Sequence, residues 1–367
     1  MSDAKGIQLV LPLDSPGTSV TSVVLGEGVL ARGCDLLRDH KGVRLLLVSD
    51  ANVAPLYAAP LREALEGGGY DAHLLEIPAG EEGKSLDTLT RLYEECRALE
   101  VERSDVVLAV GGGVVGDVAG MLAGTYLRGL GLIQVPTSLV AMVTASVGGK
   151  VGVNFGGYKN LVGLFKQASL VLADTHTLRT LPPVEFRSGL GELVTVGVLG
   201  APEIVEQLEA SGTQSLSRLV SAAIECKHSI VRADPFDRLG VRARLNLGHT
   251  FGHALERLSG FTLAHGLAVA VGLRLACRLA VRLGLCAEEV SERVRSLLVA
   301  LDLPTALTGY APERMLEAMR GDKKRRGGRL QFILPKAIGE VTLVGQEEIP
   351  APLLEEVLRA TVWEGAA

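Results

Sequence analysis

The residues in this chain most able to do chemistry are three of its seven histidines. In Asn246-Leu247-Gly248-His249-Thr250-Phe251-Gly252-His253, two histidines stand four residues apart, a spacing that stacks side chains on one helix face. His265 follows, ahead of Gly266 and another apolar periodic stretch, and a two-helix hairpin would return it beside His249. Histidines joined by a carboxylate make a three-ligand divalent-metal site with a position open to substrate oxygens. Glu192, Glu185, Glu225 and Asp234 are all candidates for that carboxylate, and spacing does not choose among them. There is no HExxH, so the general base of a metalloprotease is missing.

Glycine marks a second chemistry. Leu108-Ala109-Val110 runs into Gly111-Gly112-Gly113-Val114-Val115-Gly116-Asp117 and then a helical stretch. A strand ending in glycines at a helix start lets backbone approach a pyrophosphate, whose charge the helix N-terminus favours. Asp117 would accept from a ribose hydroxyl or cap the helix. The spacing is not GxGxxG, and a tight turn in any α/β protein accounts for the glycines equally well. Upstream, Pro78-Ala79-Gly80-Glu81-Glu82-Gly83-Lys84 also joins a strand to a helix, with Glu81 suited to a ribose and Lys84 to a phosphate. Taken alone, a helix-capping turn with a solvated charge pair is the plainer account.

The positive charges form a third group. Lys150 lies in Ser146-Val147-Gly148-Gly149-Lys150-Val151-Gly152-Val153-Asn154, Lys159-Asn160 follow, and Arg128 sits in GTYLRGL. Lys227, Arg242 and Lys336 come from the second half. A single Lys or Arg is ordinarily a solvated charge, but several beside glycines favour a site where N–H groups and cations converge on phosphate. Lys323-Lys324-Arg325-Arg326 lacks interleaved aromatics and reads as a cationic or solvated loop rather than a nucleic-acid patch.

A scaffold must gather these residues, and the chain's periodicity indicates which kind. Strands are expected at 19–25, 44–49, 72–77, 105–110, 131–135 and 170–174, alternating with helical stretches such as 55–67 and 85–99. That alternation predicts a Rossmann-like α/β domain with a mostly parallel sheet over 1–181. Residues 182–367 read as a helical domain, with helices at 186–199, 203–210, 215–232, 249–259, 264–283, 287–300 and 312–319 and a late hairpin at 329–344. At about 150 residues per domain, 367 residues also predict two domains, with an active site expected between them.

Composition excludes several functions. A chain 47% hydrophobic and 22% charged is not a disordered tail protein. With 37 basic and 42 acidic residues, its net charge of −5 gives no global attraction to nucleic acid or anionic membrane. The most apolar helical stretch is broken by His265, Arg274, Arg278 and Arg282, so no membrane span is expected. Five scattered cysteines without a CxxC pair, and an N-terminus without a basic-then-apolar leader, predict a cytoplasmic protein with reduced thiols.

Eight ordered motifs carry a resemblance: GGGVVGDVAG, GTYLRG, PTSLVAMV, SVGGKVGVN, YKNLVGLF, LRTLPPVEFRSGLGE, NLGHTFGHALE and LPKAIG. In this order they resemble the 3-dehydroquinate synthases of the sugar phosphate cyclase superfamily, over roughly residues 20–345. The resemblance implies NAD, a catalytic divalent metal (usually zinc, with cobalt an option), a homodimer, and 3-deoxy-arabino-heptulosonate 7-phosphate as substrate in the shikimate pathway. It implies Glu192, His249 and His265 as metal ligands, with His253 a proton relay or phosphate contact. For NAD it implies Asp50, Asn52, Glu81, Lys84, Gly113, Val114, Val115, Gly116, Asp117, Thr137, Ser138, Lys150, Lys159, Thr177, Leu178, Arg179 and Thr180. Lys150, Asn160, Asn246 and Lys336 would hold phosphate, with Arg128 reaching in from the dimer partner, while Lys227 and Arg242 would read the substrate carboxylate. The sequence departs from the family pattern at Thr144 (usually Asp), Thr195 (usually Lys) and Leu267 (usually Glu), and is one residue longer in 234–240. Those departures keep two alternatives in view, a valiolone- or deoxy-inosose-type cyclase and a weakly catalytic NAD- and metal-binding paralogue. Metal-dependent alcohol dehydrogenases share the expected architecture but leave the phosphate and carboxylate readers unexplained.

Overall fold

Strands that read as unbroken apolar runs have no face to give to water, and they lie in the middle of a sheet. The computed structural model describes residues 6–13, 20–307, 309–323 and 330–360. The chain divides into two units, Met1–Leu181 with Val231–Phe236, and Pro182–Ile230 with Asp237–Ala367. The segment 231–236, expected with the helical half, therefore groups with the first unit.

In the first unit a seven-stranded sheet uses β1 (Ile7–Leu11), β2 (Thr21–Gly26), β3 (Arg44–Asp50), β4 (Asp71–Ile77), β5 (Val106–Gly111) and β6 (Gly131–Pro136). After an antiparallel hairpin of β7 (Lys150–Phe155) and β8 (Tyr158–Phe165), β9 (Leu170–Asp174) completes it. The order is β1-β2-β9-β6-β5-β3-β4, with β1 antiparallel to β2 and the remaining pairs parallel. β5 is buried at all six positions, as a central parallel strand covered on both faces must be, whereas the edge strand β1 alternates. Helices α1 (Gly33–Leu36), α2 (Ala59–Gly67), α3 (Leu86–Ala98) and α4 (Gly113–Thr125) lie along the connections. Leu61 and Leu65 of α2 join Leu45, Leu47, Leu108, Val110, Ile133 and Leu172 of the strands in one core cluster.

The order of the strands places a ligand site. β4 and β5 pair with opposite sides of β3, and β6 lies beyond β5, so the connections leaving the neighbouring strands β3 and β5 run in opposite directions. In open α/β sheets ligands bind where that reversal opens a crevice beyond the carboxyl ends of the strands. Here those ends are Asp50 of β3 and the glycine turn after β5.

The second unit contains α5 (Pro183–Gly200), α6 (Pro202–Ser211), most of α7 (Leu216–Ala233), α8 (His249–Leu258), α9 (His265–Arg282), α10 (Glu288–Ala300), α11 (Pro312–Lys323) and α12 (Ala351–Leu358). It is helical, with one antiparallel hairpin, β10 (Gln331–Ala337) and β11 (Glu340–Gly345), whose turn uses Gly339 at φ 86°. α9 is buried along most of its length, and its Arg274 is tied to Ser291 Oγ at 2.7 Å and Glu292 Oε1 at 2.9 Å. Among the described residues no helix is long and apolar enough to cross a membrane. All five cysteines are free, and burial pushes the Cys96 and Cys226 thiols up to about 11 and Cys277 up to about 12. Of the basic run, Lys323 ends α11, while Lys324, Arg325 and Arg326 lie outside the described residues.

All six expected strands are present, together with the helices. Periodicity missed β1, α1, α12 and the β7–β8 hairpin. In that hairpin Gly152 faces Gly163 across the ladder, where each Cβ would meet the other strand's backbone. Glycine erases the alternation by which a strand is recognised.

The hairpin packs on α4 through a glycine, since a Cβ at Gly120 would overlap the Val151 side chain. Alanine gains about 1 kcal/mol over glycine in an uncrowded helix interior, whereas overpacking costs about 1–3 kcal/mol. Gly120→Ala is therefore expected to lower stability in urea denaturation. A rise would show the α4–β7 contact to be slack.

Candidate functional site

Two of the three histidines open helices. His249 is the first residue of α8, preceded by Gly248 in the left-handed region at φ 74°, and His265 is the first residue of α9. Glu192 lies in the middle of α5 and is 3% exposed. The structure brings their ligand atoms within 4.8 Å of one another. Glu192 Oε1 is 2.9 Å from His265 Nε2 and 3.6 Å from His249 Nε2. Of the other candidate carboxylates, Glu225 accepts from Ser221 Oγ at 3.1 Å, Glu185 is exposed in the first turn of α5, and Asp234 groups with the first unit.

Glycines allow the three helices to come this close. A Cβ on Gly191 would overlap the Gly266 carbonyl, and one on Gly266 would overlap that of Ser188, so α5 and α9 touch backbone to backbone beside Glu192 and His265. The Gly266 N–H also donates to Ser188 Oγ at 2.9 Å. On the other side a Cβ on Gly272 of α9 would overlap the Gly248 carbonyl, and one on Gly252 of α8 would stand 3.2 Å from Val269. The three side chains thus project from helices whose backbones are in contact.

Electrostatics keep the carboxylate of the cluster ionised despite its burial. Burial opposes ionisation of Glu192, but the adjacent His249, the hydrogen bond and charge of His265, and the Lys227 charge together pull it down to about 2. Burial pushes His249 down to about 4, against the opposing pull of Glu192, so it is neutral at pH 7. Its Nδ1 faces the Leu247 carbonyl at 2.9 Å, which can only accept, leaving Nε2 as a lone pair toward Glu192. Burial disfavours charge on His265 too, but the carboxylates of Glu192 and Glu256 outweigh it and raise its pKa. Two imidazole nitrogens and one carboxylate suit zinc or cobalt, so the donor set fits a divalent ion.

Around this cluster, the ring centroid of His253 is 5.4 Å from that of His249 and 6.0 Å from that of His265. Arg242 is 4% exposed in the turn Val241–Asn246, where Asn246 Nδ2 donates to the Ala243 carbonyl at 3.0 Å. Lys336 is on β10, with its ammonium 2.7 Å from Glu340. Thr195 is buried, and its hydroxyl donates to the Gly191 carbonyl at 2.8 Å, so it adds no charge. Sequence reasoning missed Glu256, whose Oε2 is 3.1 Å from His265 Nδ1 and which forms a second three-residue group with His253 and His265. The signal was present, because Glu256 follows His253 by three positions and His249 by seven, on one helix face.

The first unit holds the residues suited to a dinucleotide. α4 begins at Gly112 without a side-chain cap, leaving N–H groups available to an anion. Asp117 is not the cap; it lies in the second turn of α4, and its carboxylate takes the buried Lys84 ammonium, so Lys84 is held by Asp117 rather than presented alone. Glu81 Oε1 accepts from Asn154 Nδ2 at 2.7 Å, and Asn154 Oδ1 accepts from the Asn160 N–H at 2.9 Å. Asp50 Oδ1 accepts from the N–H groups of Asn52 and Val53, which shapes the turn after β3.

Thr137 follows β6, where its N–H donates to Gly111, and Ser138 Oγ accepts from Ala141 N–H. Thr177 and Leu178 are buried in a short turn, Thr180 bonds Tyr57, and Arg179 pairs with Glu27 at the surface. Lys150 opens β7 and is exposed, while Lys159 is half-buried on β8. A Cβ on Gly113 would stand 3.6 Å from Ala145, which puts the segment 138–146 against the glycine turn. In that segment Ser146 Oγ is buried without a partner among the described residues, a polar atom of the kind a bound ligand satisfies. The donor pattern and the uncapped helix fit NAD. Arg128 is in a run of positive φ, with Leu127 at 49°, Arg128 at 69° and Gly129 at 131°, strain of the sort that collects at functional loops.

Two family models match the chain, meeting inside α5. Residues 74–188 match the family model described as 3-dehydroquinate synthase N-terminal, and residues 189–325 match the one described as 3-dehydroquinate synthase C-terminal. The 3-dehydroquinate synthase of Symbiobacterium thermophilum is 44% identical over 332 residues, covering 88% of this chain and 92% of that protein. Among solved structures, 2-epi-5-epi-valiolone synthase from Streptomyces hygroscopicus subsp. jinggangensis, with NAD+ and Zn2+ bound, has a TM-score of 0.86 at 29% identity, covering 95% of this chain and 98% of that one. A 2-deoxy-scyllo-inosose synthase complexed with carbaglucose-6-phosphate, NAD+ and Co2+ has a TM-score of 0.83 at 27% identity, covering 97% and 100%.

The glycine contacts give a direct test. Gly266→Ala forces a methyl into the Ser188 carbonyl, backbone that cannot swing aside. A loss of about 3 kcal/mol is expected in chemical denaturation, together with weaker divalent-metal binding. Gly260→Ala, at φ 62° in open space, costs only about 1 kcal/mol of left-handed strain and leaves metal binding unchanged.

Proposed function

The chain belongs to the 3-dehydroquinate synthase family, and from that premise we propose how its own residues convert 3-deoxy-arabino-heptulosonate 7-phosphate to 3-dehydroquinate and phosphate. The observation that carries the assignment of roles is the Glu192, His249 and His265 cluster, set on glycine-locked helices with its ligand atoms within 4.8 Å. Those three residues hold a divalent ion, zinc or cobalt by donor type. NAD is held by Asp50, Asn52, Glu81, Lys84, the turn from Gly113 to Asp117, Thr137, Ser138, Lys150, Lys159 and the segment from Thr177 to Thr180. When bound, NAD supplies reversible hydride exchange and the ion polarises a substrate hydroxyl.

The remaining roles belong to side chains that bind and orient. Lys227, whose charge reaches Glu192, and the buried Arg242 read the substrate carboxylate. A guanidinium grips a carboxylate through two parallel N–H bonds and so fixes its direction as well as its charge. Lys150, Asn160, Asn246 and Lys336 bind the phosphate, with Arg128 contributed across a homodimer. His253, beside both ligand histidines, is placed to move a proton at a substrate oxygen. Thr144 and Thr195, hydrogen-bonded to the carbonyls one helical turn before them, are neutral and leave the charge of the site to the other residues. A substrate carrying both a carboxylate and a phosphate accounts for both sets of cations, which a neutral-tailed sugar phosphate does not.

Three measurements test the reading. The protein with NAD+ and Zn2+ or Co2+ is expected to release phosphate and dehydroquinate from the heptulosonate phosphate. Turnover of sedoheptulose 7-phosphate in its place would overturn the substrate assignment, and NAD binding with neither reaction would indicate a non-catalytic paralogue. Chelation is expected to abolish turnover, with recovery on adding the ion back. Lys150→Ala removes a charge-assisted bond worth about 1.5–3 kcal/mol, so KM for the phosphorylated substrate is expected to rise about 10–100-fold while NAD affinity changes less. Equal losses would remove Lys150 from the phosphate site.

A further inference from the structure

Glu256 has no part in the roles assigned above, yet it touches a ligand. Its residue is 5% exposed on α8, and its Oε2 is 3.1 Å from His265 Nδ1, while Nε2 of the same ring is 2.9 Å from Glu192 Oε1. The two ring nitrogens are therefore divided between two carboxylates, one on α5 and one on α8. The ring itself needs such an anchor. His265 opens its helix and its side chain is 35% exposed, so packing alone does not choose between its two flipped orientations. His249 meets the same requirement differently, through its Nδ1 on the Leu247 carbonyl at 2.9 Å.

Resting on the metal-site reading above, we propose that Glu256 is a positioning residue. It accepts the Nδ1–H of His265, selects the orientation in which Nε2 faces Glu192, and adds the second negative charge that balances a divalent ion. A carboxylate behind a ligand imidazole also makes the opposite nitrogen a stronger donor than a backbone carbonyl does. The two ligand histidines are thus unequal, His265 held by a charge and His249 by a dipole.

The test compares metal binding with folding in Glu256→Ala, Glu256→Gln and His249→Ala. Zn2+ affinity is measured by competition with a chelating dye, ligand geometry by the visible absorption of Co2+, and folding by the Tm of the metal-free proteins. Glu256→Ala is expected to weaken Zn2+ binding about 10–100-fold and to shift the Co2+ bands. Glu256→Gln, which keeps an acceptor but loses the charge, is expected to fall between Ala and the parent. Parental affinity and bands in Glu256→Ala, with only a lowered Tm, would overturn the proposal, as would parental values in Glu256→Gln should the alanine variant not fold. If the parent binds Zn2+ no better than His249→Ala, the metal-site reading itself fails and takes this inference with it.

Discussion

The second unit depends on three helices meeting backbone to backbone. A Cβ at Gly191, Gly266, Gly248, Gly252 or Gly272 would press on the backbone of a neighbouring helix or its cap. Ordinary helix pairs pack about 8–10 Å apart with side chains interleaved, whereas here backbone atoms of neighbouring helices lie where a Cβ would stand. Close contact brings Glu192 and the first residues of two helices together. Gly191, Gly252 and Gly272 exact a stability cost within their helices, which the surrounding apolar burial along α9 offsets.

Convergence creates an electrostatic problem that the sequence also answers. A carboxylate 3% exposed is costly to ionise unless cations are near. Near neutral pH the charges of His265 and Lys227 supply the compensation, and in acid a protonated His249 adds to it, so Glu192 stays ionised far below neutral pH. An acidic chain with a net charge of −5 thus retains local positive charge beside Glu192. Net charge describes distant partners, whereas the position of individual cations describes the site.

In the first unit glycine serves another purpose. The turn from β5 into α4 exposes helix N–H groups at the point where strand order reverses, and Gly120 lets α4 lie against the β7–β8 hairpin. That hairpin brings Asn154 to Glu81 and to the backbone of Asn160, tying segments far apart in sequence to the turn after β4. Glu81 and Lys84 read as a solvated pair in sequence, but each has a separate partner, Asn154 for one and Asp117 for the other. Only long-range folding supplies those partners.

The sequence by itself determined the alternation of strands and helices, the helical second half, and the histidine spacing that aligns His249, His253 and Glu256 on one face. Each of these follows from local periodicity, since helix and strand geometry repeat over a few residues. Local pattern could not choose Glu192 from four carboxylates without the resemblance, nor find Ser146 as a buried unpartnered hydroxyl or Glu256 as the anchor of His265. Those identities depend on which backbones touch, and contact between α5, α8 and α9 is set by residues that lack side chains. Tertiary structure decided them because distance in space, not distance in sequence, governs ligation and charge.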